Sequence, residues 1–456
     1  SPPPAPGRAA VTDVTTVCPL VTGLPAHTAT TATVANLAGA ISPPTHPTGR
    51  VVATQLAGAH SRSTTLRVAP LATVHSRSGA LQSVAFHATG ALAATVSADQ
   101  VGLTDRGRHR GLFSGGCAAP ATDWWFAGAD GRVGYRDRLV LANPAPVAAS
   151  VAVSLWSAKG VLSPPHLDAV QVAPRSVVQI NLAAVAPDQP TITIHVHAAS
   201  GSVTAGLIDQ RTVDLQSNGG DIVPATQPPS RSAVVAGYVA GSGAHQLVIG
   251  DPGSLDATAT LRLITPSGSF TPSEVTHVVV RAGHTRAVGL TKAFNGASGA
   301  VSITSDQPVV AQGVAVINPP GGKLRPDLSW LAATPSLDRP AAVANGAEPD
   351  GGTCRLLLTA PDGTARLMLT TPSGKHQTIE VPARRSVSVD VTSLVGHGPR
   401  PNAFLLTPLD SAPVYGIRLL YFAGAHGALV SAEPLRSLPG GISLPAVLED
   451  PDAALR

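Results

Sequence analysis

A stretch that returns at a near-constant interval is the feature that most constrains this chain. Arg138-Leu139-Val140-Leu141-Ala142-Asn143-Pro144 is followed by Ala149-Ser150-Val151-Ala152-Val153-Ser154-Leu155-Trp156 and a turn at Lys159-Gly160. Gln246-Leu247-Val248-Ile249-Gly250-Asp251-Pro252 is followed by an apolar run at 257–263 and by Thr265-Pro266-Ser267-Gly268. Arg355-Leu356-Leu357-Leu358-Thr359-Ala360-Pro361 is followed by a run at 365–369 and by Thr371-Pro372-Ser373-Gly374. Asn143 and Asp251 lie 108 residues apart, Gly268 and Gly374 lie 106 apart, and a fainter Ala32-Thr33-Val34-Ala35-Asn36 lies 107 before Asn143. Self-similarity at a fixed period marks a tandem array of one structural unit. In 456 residues it predicts four units of about 108.

Within a unit the apolar residues alternate with polar ones, the period of half-buried strands. A strand–turn–strand recurs at Val170 to Leu182, with its turn at Pro174 to Ser176, and again at 278–290 and 379–391. Charged residues are 13% of the chain, about half the usual share, and Thr, Ser, Ala, Val, Gly and Pro take their place. That mixture suits strands and tight turns. With 4 Trp, 4 Tyr and 7 Phe, cores must be built from Val, Leu, Ile and Ala. The expected class is all-β. Six or seven strands per unit give an immunoglobulin-like two-sheet sandwich packed against its neighbours, although the Cys–Trp–Cys pattern of antibody domains is absent. The alternative is an eight-bladed β-propeller with two blades per unit, at roughly 40–50 residues each. No half-period echo appears inside a unit, which favours sandwiches.

The expected organisation is an extended Pro-rich leader at 1–15 and β units at 16–113 and 114–223. A stiff linker (Pro224 to Arg231) with the third unit occupies 224–340, the fourth unit 341–440, and a tail 441–456. The opening Ser1-Pro2-Pro3-Pro4, without an initiator Met, suggests that a signal peptide or N-terminal anchor has been removed. No run of 18 apolar residues exists, so no transmembrane span is expected. The net charge of +4 is not concentrated in any dense Lys/Arg cluster, which argues against nucleic acid as a partner.

Motifs for chemistry are few. There is no Gly-x-Ser-x-Gly elbow and no phosphate-cradling loop. A triad assembled in space stays open. Asp251 and Asp256 lack the spacing of a calcium loop, and Asp251, like Asn143, suits an Asx turn before proline. His195-Val196-His197 puts two imidazoles on one strand face, as a shared ion requires. No third ligand stands nearby, so two exposed histidines, and neither metal nor cofactor, are expected.

Asp123-Trp124-Trp125-Phe126 is the densest aromatic cluster. Its rings could stack on sugars; their position favours a plug where the first unit meets the second, with Trp330 placed for the next seam. The turn after the third long strand carries Arg175, then Arg281 and His284, then Arg384 and Arg385. Turn solubility is the plainer reading; a discontinuous basic row touching an anionic polymer is the other. Of the three cysteines, Cys18 and Cys117 hold similar places ahead of the first two units. A Cys18–Cys117 disulfide is expected, against three buried thiols.

The Leu-x-Leu-x-Asn-Pro run, with the later Val-x-Pro-x-x-Ser, resembles bacterial extracytoplasmic sandwich domains. Ser305-Asp306-Gln307-Pro308-Val309-Val310-Ala311-Gln312 resembles the closing strand of such modules, sensory-rhodopsin-transducer-type domains among them. Val17-Cys18-Pro19, Cys117 ahead of Trp124-Trp125-Phe126-Ala127-Gly128, and the Ala-rich composition are similar to an uncharacterised family of secreted or membrane-anchored actinobacterial proteins. That resemblance implies an extracellular or cell-surface location and a role beside surface-glycan assembly, with no catalytic residues to carry over. The expected function is a non-enzymatic scaffold or binding module for an envelope glycan or a membrane-bound glycan-assembly protein. The alternatives are a surface-glycan hydrolase with a pocket carboxylate pair and a purely structural spacer.

Overall fold

The computed structural model describes residues 7–9, 11–19, 29–37, 49–68, 71–76, 83–241, 243–318, 324–345, 352–395, 403–439 and 442–444. A short strand β1 (Gly7–Ala9) comes first. The first sheet pair uses β2 (Asp13–Cys18), β3 (Ala29–Asn36), β4 (Gly49–Gln55), β5 (Arg62–Leu66), β6 (Leu71–Ser76), β7 (Val84–Gly90), β8 (Val96–Thr104) and β9 (Gly111–Gly116). Its two sheets run β2-β7-β4-β5 and β6-β3-β8-β9.

The second pair uses β10 (Asp123–Ala129), β11 (Arg138–Asn143), β12 (Ala149–Ser157), β13 (Gly160–Leu162), β14 (Val170–Val172), β15 (Ser176–Asn181), β16 (Ile192–Ser200), β17 (Thr204–Val213) and β18 (Gln216–Val223). Its orders are β10-β16-β12-β13, with β14 also on β12, and β15-β11-β17-β18. The third pair uses β19 (Ser230–Tyr238), β20 (His245–Gly250), β21 (Ala257–Thr265), β22 (Gly268–Phe270), β23 (His277–Val280), β24 (Thr285–Gly289), β25 (Gly299–Ile317) and β26 (Asp327–Ala332). Here one long strand serves both sheets. The first part of β25 pairs with β19 and β21, and the second with β20 and β26. The fourth pair uses β27 (Ala341–Val343), β28 (Thr353–Ala360), β29 (Ala365–Thr370), β30 (His376–Val381), β31 (Arg385–Asp390), β32 (Phe404–Pro408), β33 (Tyr415–Gly424) and β34 (Gly427–Pro434). It runs β27-β32-β29-β30 and β31-β28-β33-β34, and a last strand β35 (Ile442–Leu444) pairs with β1.

The architecture is all-β, in antiparallel sandwich-like sheets. The propeller alternative fails on strand order. A blade takes four consecutive strands, whereas β2 and β3, or β10 and β11, lie in opposite sheets. Other expectations shift. Ser305 to Gln312 is not a closing strand but the middle of β25, where it passes between sheets. The boundary at 113/114 falls inside β9, and the strand count exceeds six or seven per pair. The linker after Pro224 is pinned rather than a spacer: the Thr226 amide donates to Trp125 O at 2.8 Å and its hydroxyl to Ala311 O at 2.7 Å.

Burial explains the two kinds of run. β12 alternates buried with partly buried or exposed positions from Ala149 to Ser157, because one face meets the core and the other leaves it. β11, β20 and β28 are buried on nearly every residue. Their second faces are covered, which is when a strand can be continuously apolar. Asn143 and Asp251 end two of these strands in Asx turns, accepting from Ala145 N at 2.9 Å and Gly253 N at 2.8 Å.

The last strands of the four pairs meet around a common axis: β9 packs on β18, β18 on β26, β26 on β34, and β34 on β9. The ring is closed by hydrogen bonds between pairs. Ser114 Oγ donates to Ser431 Oγ at 2.8 Å, and Ser431 Oγ donates to Asp221 Oδ1 at 2.5 Å. Asp221 Oδ2 accepts from Trp330 N, and Asp327 Oδ2 from Val430 N, each at 2.9 Å. Cores cross the seams as well: Trp330 and Leu328 lie in the second pair's core, and Leu112 lies in the fourth's.

Two glycine bulges make room for this. The register breaks at Gly128 in β10 and at Gly237 in β19, both with φ +109°. A Cβ there would stand 2.3 Å from the Trp330 ring and 2.2 Å from Ile417 Cδ1. Each large side chain comes from the next pair, so only glycine admits it.

Candidate functional site

A cavity of about 310 Å³ opens where the first, second and fourth pairs meet. Its wall includes Trp124 of β10, Asp99 of β8, Gly116 of β9, Glu433 of β34, Arg436 and Cys117. Trp124 is half-buried and fixed by its indole Nε1, which donates to Val203 O at 2.9 Å. Cys117 is bonded to Cys18, with Cα atoms 4.5 Å apart. The bridge joins the end of β2 to the exit from β9 across 99 residues of sequence, which on loop entropy alone is worth about 4–5 kcal/mol. The third cysteine, Cys354, is a buried thiol whose pKa burial pushes up to about 12, so it is inert.

The polar side of the cavity is a charge cluster. Arg418 is fully buried, with its guanidinium 3.5 Å from Asp99 Oδ2 and bonded to Glu433 and to Asn345 O. Asp99 Oδ2 also accepts the Ala344 and Asn345 amides, both at 2.9 Å. Burial pushes Glu433 up to about 8 and raises Asp99, while the Arg418 charge pulls both down. Both carboxyls lie against the same Arg418 guanidinium. Gly116 leaves them space, since a Cβ there would stand 2.5 Å from Glu433 Oε1. Asp99 and Glu433 reach the cavity wall, whereas Arg418 does not line it.

The structure separates the other aromatic candidates. Phe126 is fully buried in the second pair's own core. Trp125 points the opposite way, packing on Val248 and Val310 of the third pair and stacking on Trp156 at 5.8 Å. Trp125 thus fills the seam between the second and third pairs, not the first and second. Trp330 fills the same seam and donates from Nε1 to Asp209 Oδ2 at 2.8 Å.

The basic turns lie on three different seams. Gly58 N donates to Arg175 O at 2.8 Å, the Gly283 turn packs on Val161, and Arg385 donates to Pro266 O at 3.0 Å. Each turn docks on the preceding sheet pair. Arg175, Gly283 and Arg384 follow a valine by the same interval and all adopt positive φ, at 52°, 71° and 57°. What recurs is a left-handed turn residue, costing about 1 kcal/mol when it is not glycine. The side chains of Arg175, Arg281, Arg384 and Arg385 are exposed, and His284 bonds locally to Ala282 O.

His195 and His197 have the partner that the neighbouring sequence lacked. Asp123 Oδ1 lies 2.9 Å from His195 Nε2 and 2.9 Å from His197 Nδ1. The His197 hydrogen bond, with that of His195, holds Asp123 down at about 2, whereas burial lowers His195. Sequence reasoning missed Asp99, Arg418, Glu433 and this role of Asp123. The available signal was an isolated charge inside an apolar strand, in a chain where charge is scarce.

A family model described as a family of unknown function, DUF5719, matches residues 71–392. No curated protein matches. One solved structure, reported as giving structural insight into host cell surface retention of a 1.5-MDa bacterial ice-binding adhesin, is 12% identical over 70% of this chain and 98% of that chain. Its TM-score is 0.11, and a likeness at that score shows neither a shared fold nor a shared role.

Proposed function

Since the chain belongs to the DUF5719 family, whose description carries no activity, we propose its role from its own geometry. It is a non-enzymatic, extracytoplasmic binding module of the cell envelope that takes a segment of envelope glycan into the cavity between its first, second and fourth sheet pairs. The observation that carries this reading is the shared wall of that cavity, where the Trp124 ring stands with Asp99, Glu433 and Arg436. A ring face suits the apolar face of a sugar, and carboxyl and guanidinium groups suit its hydroxyls or acidic substituents. The Cys18–Cys117 bridge supports an oxidising compartment. The rigid closed ring supports recognition over motion.

Titrating solubilised envelope-glycan fragments into the protein tests it by calorimetry. Trp124→Ala is expected to weaken binding at least tenfold, about 1.4 kcal/mol, and Trp124→Phe to retain most of it. Equal affinity in wild type and Trp124→Ala would remove the cavity from recognition. Time-dependent release of new reducing ends, lost in Glu433→Gln, would replace the module with a hydrolase.

A further inference from the structure

Two imidazoles and a carboxylate converge on the face of β10 and β16 that carries Trp125, opposite to Trp124 of the cavity. Strand register places them: Asp123 pairs with His197, and Trp125 with His195. Residues two apart on a strand share a face, so all four lie on one. A single oxygen, Asp123 Oδ1, faces both ring nitrogens at 2.9 Å, and the three potential ligand atoms lie within 4.8 Å of one another. A cation bound at about 2.0–2.2 Å from each atom needs shifts of only about 1 Å in these side chains. They have room for it, being 43%, 21% and 51% exposed for Asp123, His195 and His197.

We propose that Asp123, His195 and His197 form a binding site for one divalent first-row transition-metal cation of the zinc(II) class. Two imidazoles and one carboxylate are donors that suit zinc, and they disfavour calcium or magnesium, which take oxygen. Binding consumes no redox equivalent. Each neutral ring keeps one proton, on Nδ1 of His195 and Nε2 of His197, and turns the opposite lone pair to the cation. The Asp123 carboxylate, already ionised, offsets part of the metal's charge.

The supporting framework is stiff. β16 is held on both sides, by β10 and β12. The Trp125 ring lies on His195 at 3.9 Å between centroids and 8° between planes, fixing that imidazole. Trp156 continues the stack. Three protein ligands leave a fourth position open, as in sites that exchange a water for a ligand oxygen. The exposure of Asp123 and His197 turns that position to solvent beside an aromatic wall. Among the described residues this is the cluster in which three such ligand atoms converge.

Zinc chloride titrated calorimetrically into chelator-treated full chain tests the site, with cobalt(II) chloride as a spectroscopic probe. One equivalent is expected, with visible cobalt absorption and a rise in melting temperature on zinc saturation. Asp123→Ala and His195→Ala should each weaken binding at least about 100-fold. His87→Ala, outside both the cluster and the cavity, should leave it unchanged. Should the Asp123 or His195 variant unfold, the more exposed His197→Gln should still fold and lose the cobalt spectrum. No saturable binding in wild type, or equal binding in the ligand variants, would overturn the proposal.

Discussion

The seam between the second and third sheet pairs and the seam between the fourth and first are built differently. The former is aromatic: Trp125 meets Val248 and Val310, and Trp330 enters the second core over Gly128. Its buried charged groups include Asp209 with Arg211 and Asp221, which accept from the indole and the backbone amide of Trp330. The latter also has apolar contacts, through Leu112 and through Ala35 with Leu405. To these it adds Arg418, Asp99 and Glu433, all nearly inaccessible. Sequence neighbours are already kept close by the chain between them. The first and fourth pairs lack that tether, and a greasy face alone would let them slide. Asp99 of the first pair, accepting the Ala344 and Asn345 amides of the fourth beside the Arg418 charge, fits one register only. The difference teaches that a tethered contact can rely on shape, whereas a ring-closing contact needs direction.

The largest effect should come from breaking the charged seam alone. Arg418→Met leaves Asp99 and Glu433 buried without their cation, and is expected to lose about 3–5 kcal/mol of stability in denaturant melts. Scattering should show an opened, larger particle. A smaller loss, about 1–3 kcal/mol, is expected for Gly128→Ala, where the new methyl must displace the Trp330 ring and adopt φ +109°. Here the ring stays closed and the particle size unchanged; if Gly128→Ala also opens it, the contrast between the seams fails.

The smallest effect is one of pH. Burial raises the folded-state pKa of Glu433 from 4.5 to about 8, and that of Asp327 from 3.8 to about 7. A carboxyl raised on folding contributes stability that is full below its unfolded pKa and lost as pH rises through the folded one. The melting temperature should therefore fall by a few degrees between about pH 5 and 8. Glu433→Gln should flatten the upper part of that slope. A melting temperature that rises over this window would contradict the buried, proton-holding pair.

The β class was legible because β12, β21 and β29 keep alternation, and β11, β20 and β28 keep continuous runs ending at Asn143-Pro144, Asp251-Pro252 and Ala360-Pro361. The axial strands were not legible. β9 and β18 are rich in glycine and serine and buried on both sides by other pairs, so no period marks them. Ring closure left no local trace, since Ser114 and Ser431 are 317 residues apart. Asp123 could not be joined to His195 and His197 without the β10–β16 register. The tryptophan cluster was visible, but which ring faces which way depended on that same register.

β25 continues without a break where the other pairs turn a corner between separate strands. At about 3.3 Å per residue its contour is about 60 Å, and it is paired in both sheets. Slow amide exchange should accordingly be shared by the two halves of β25, which can loosen only together.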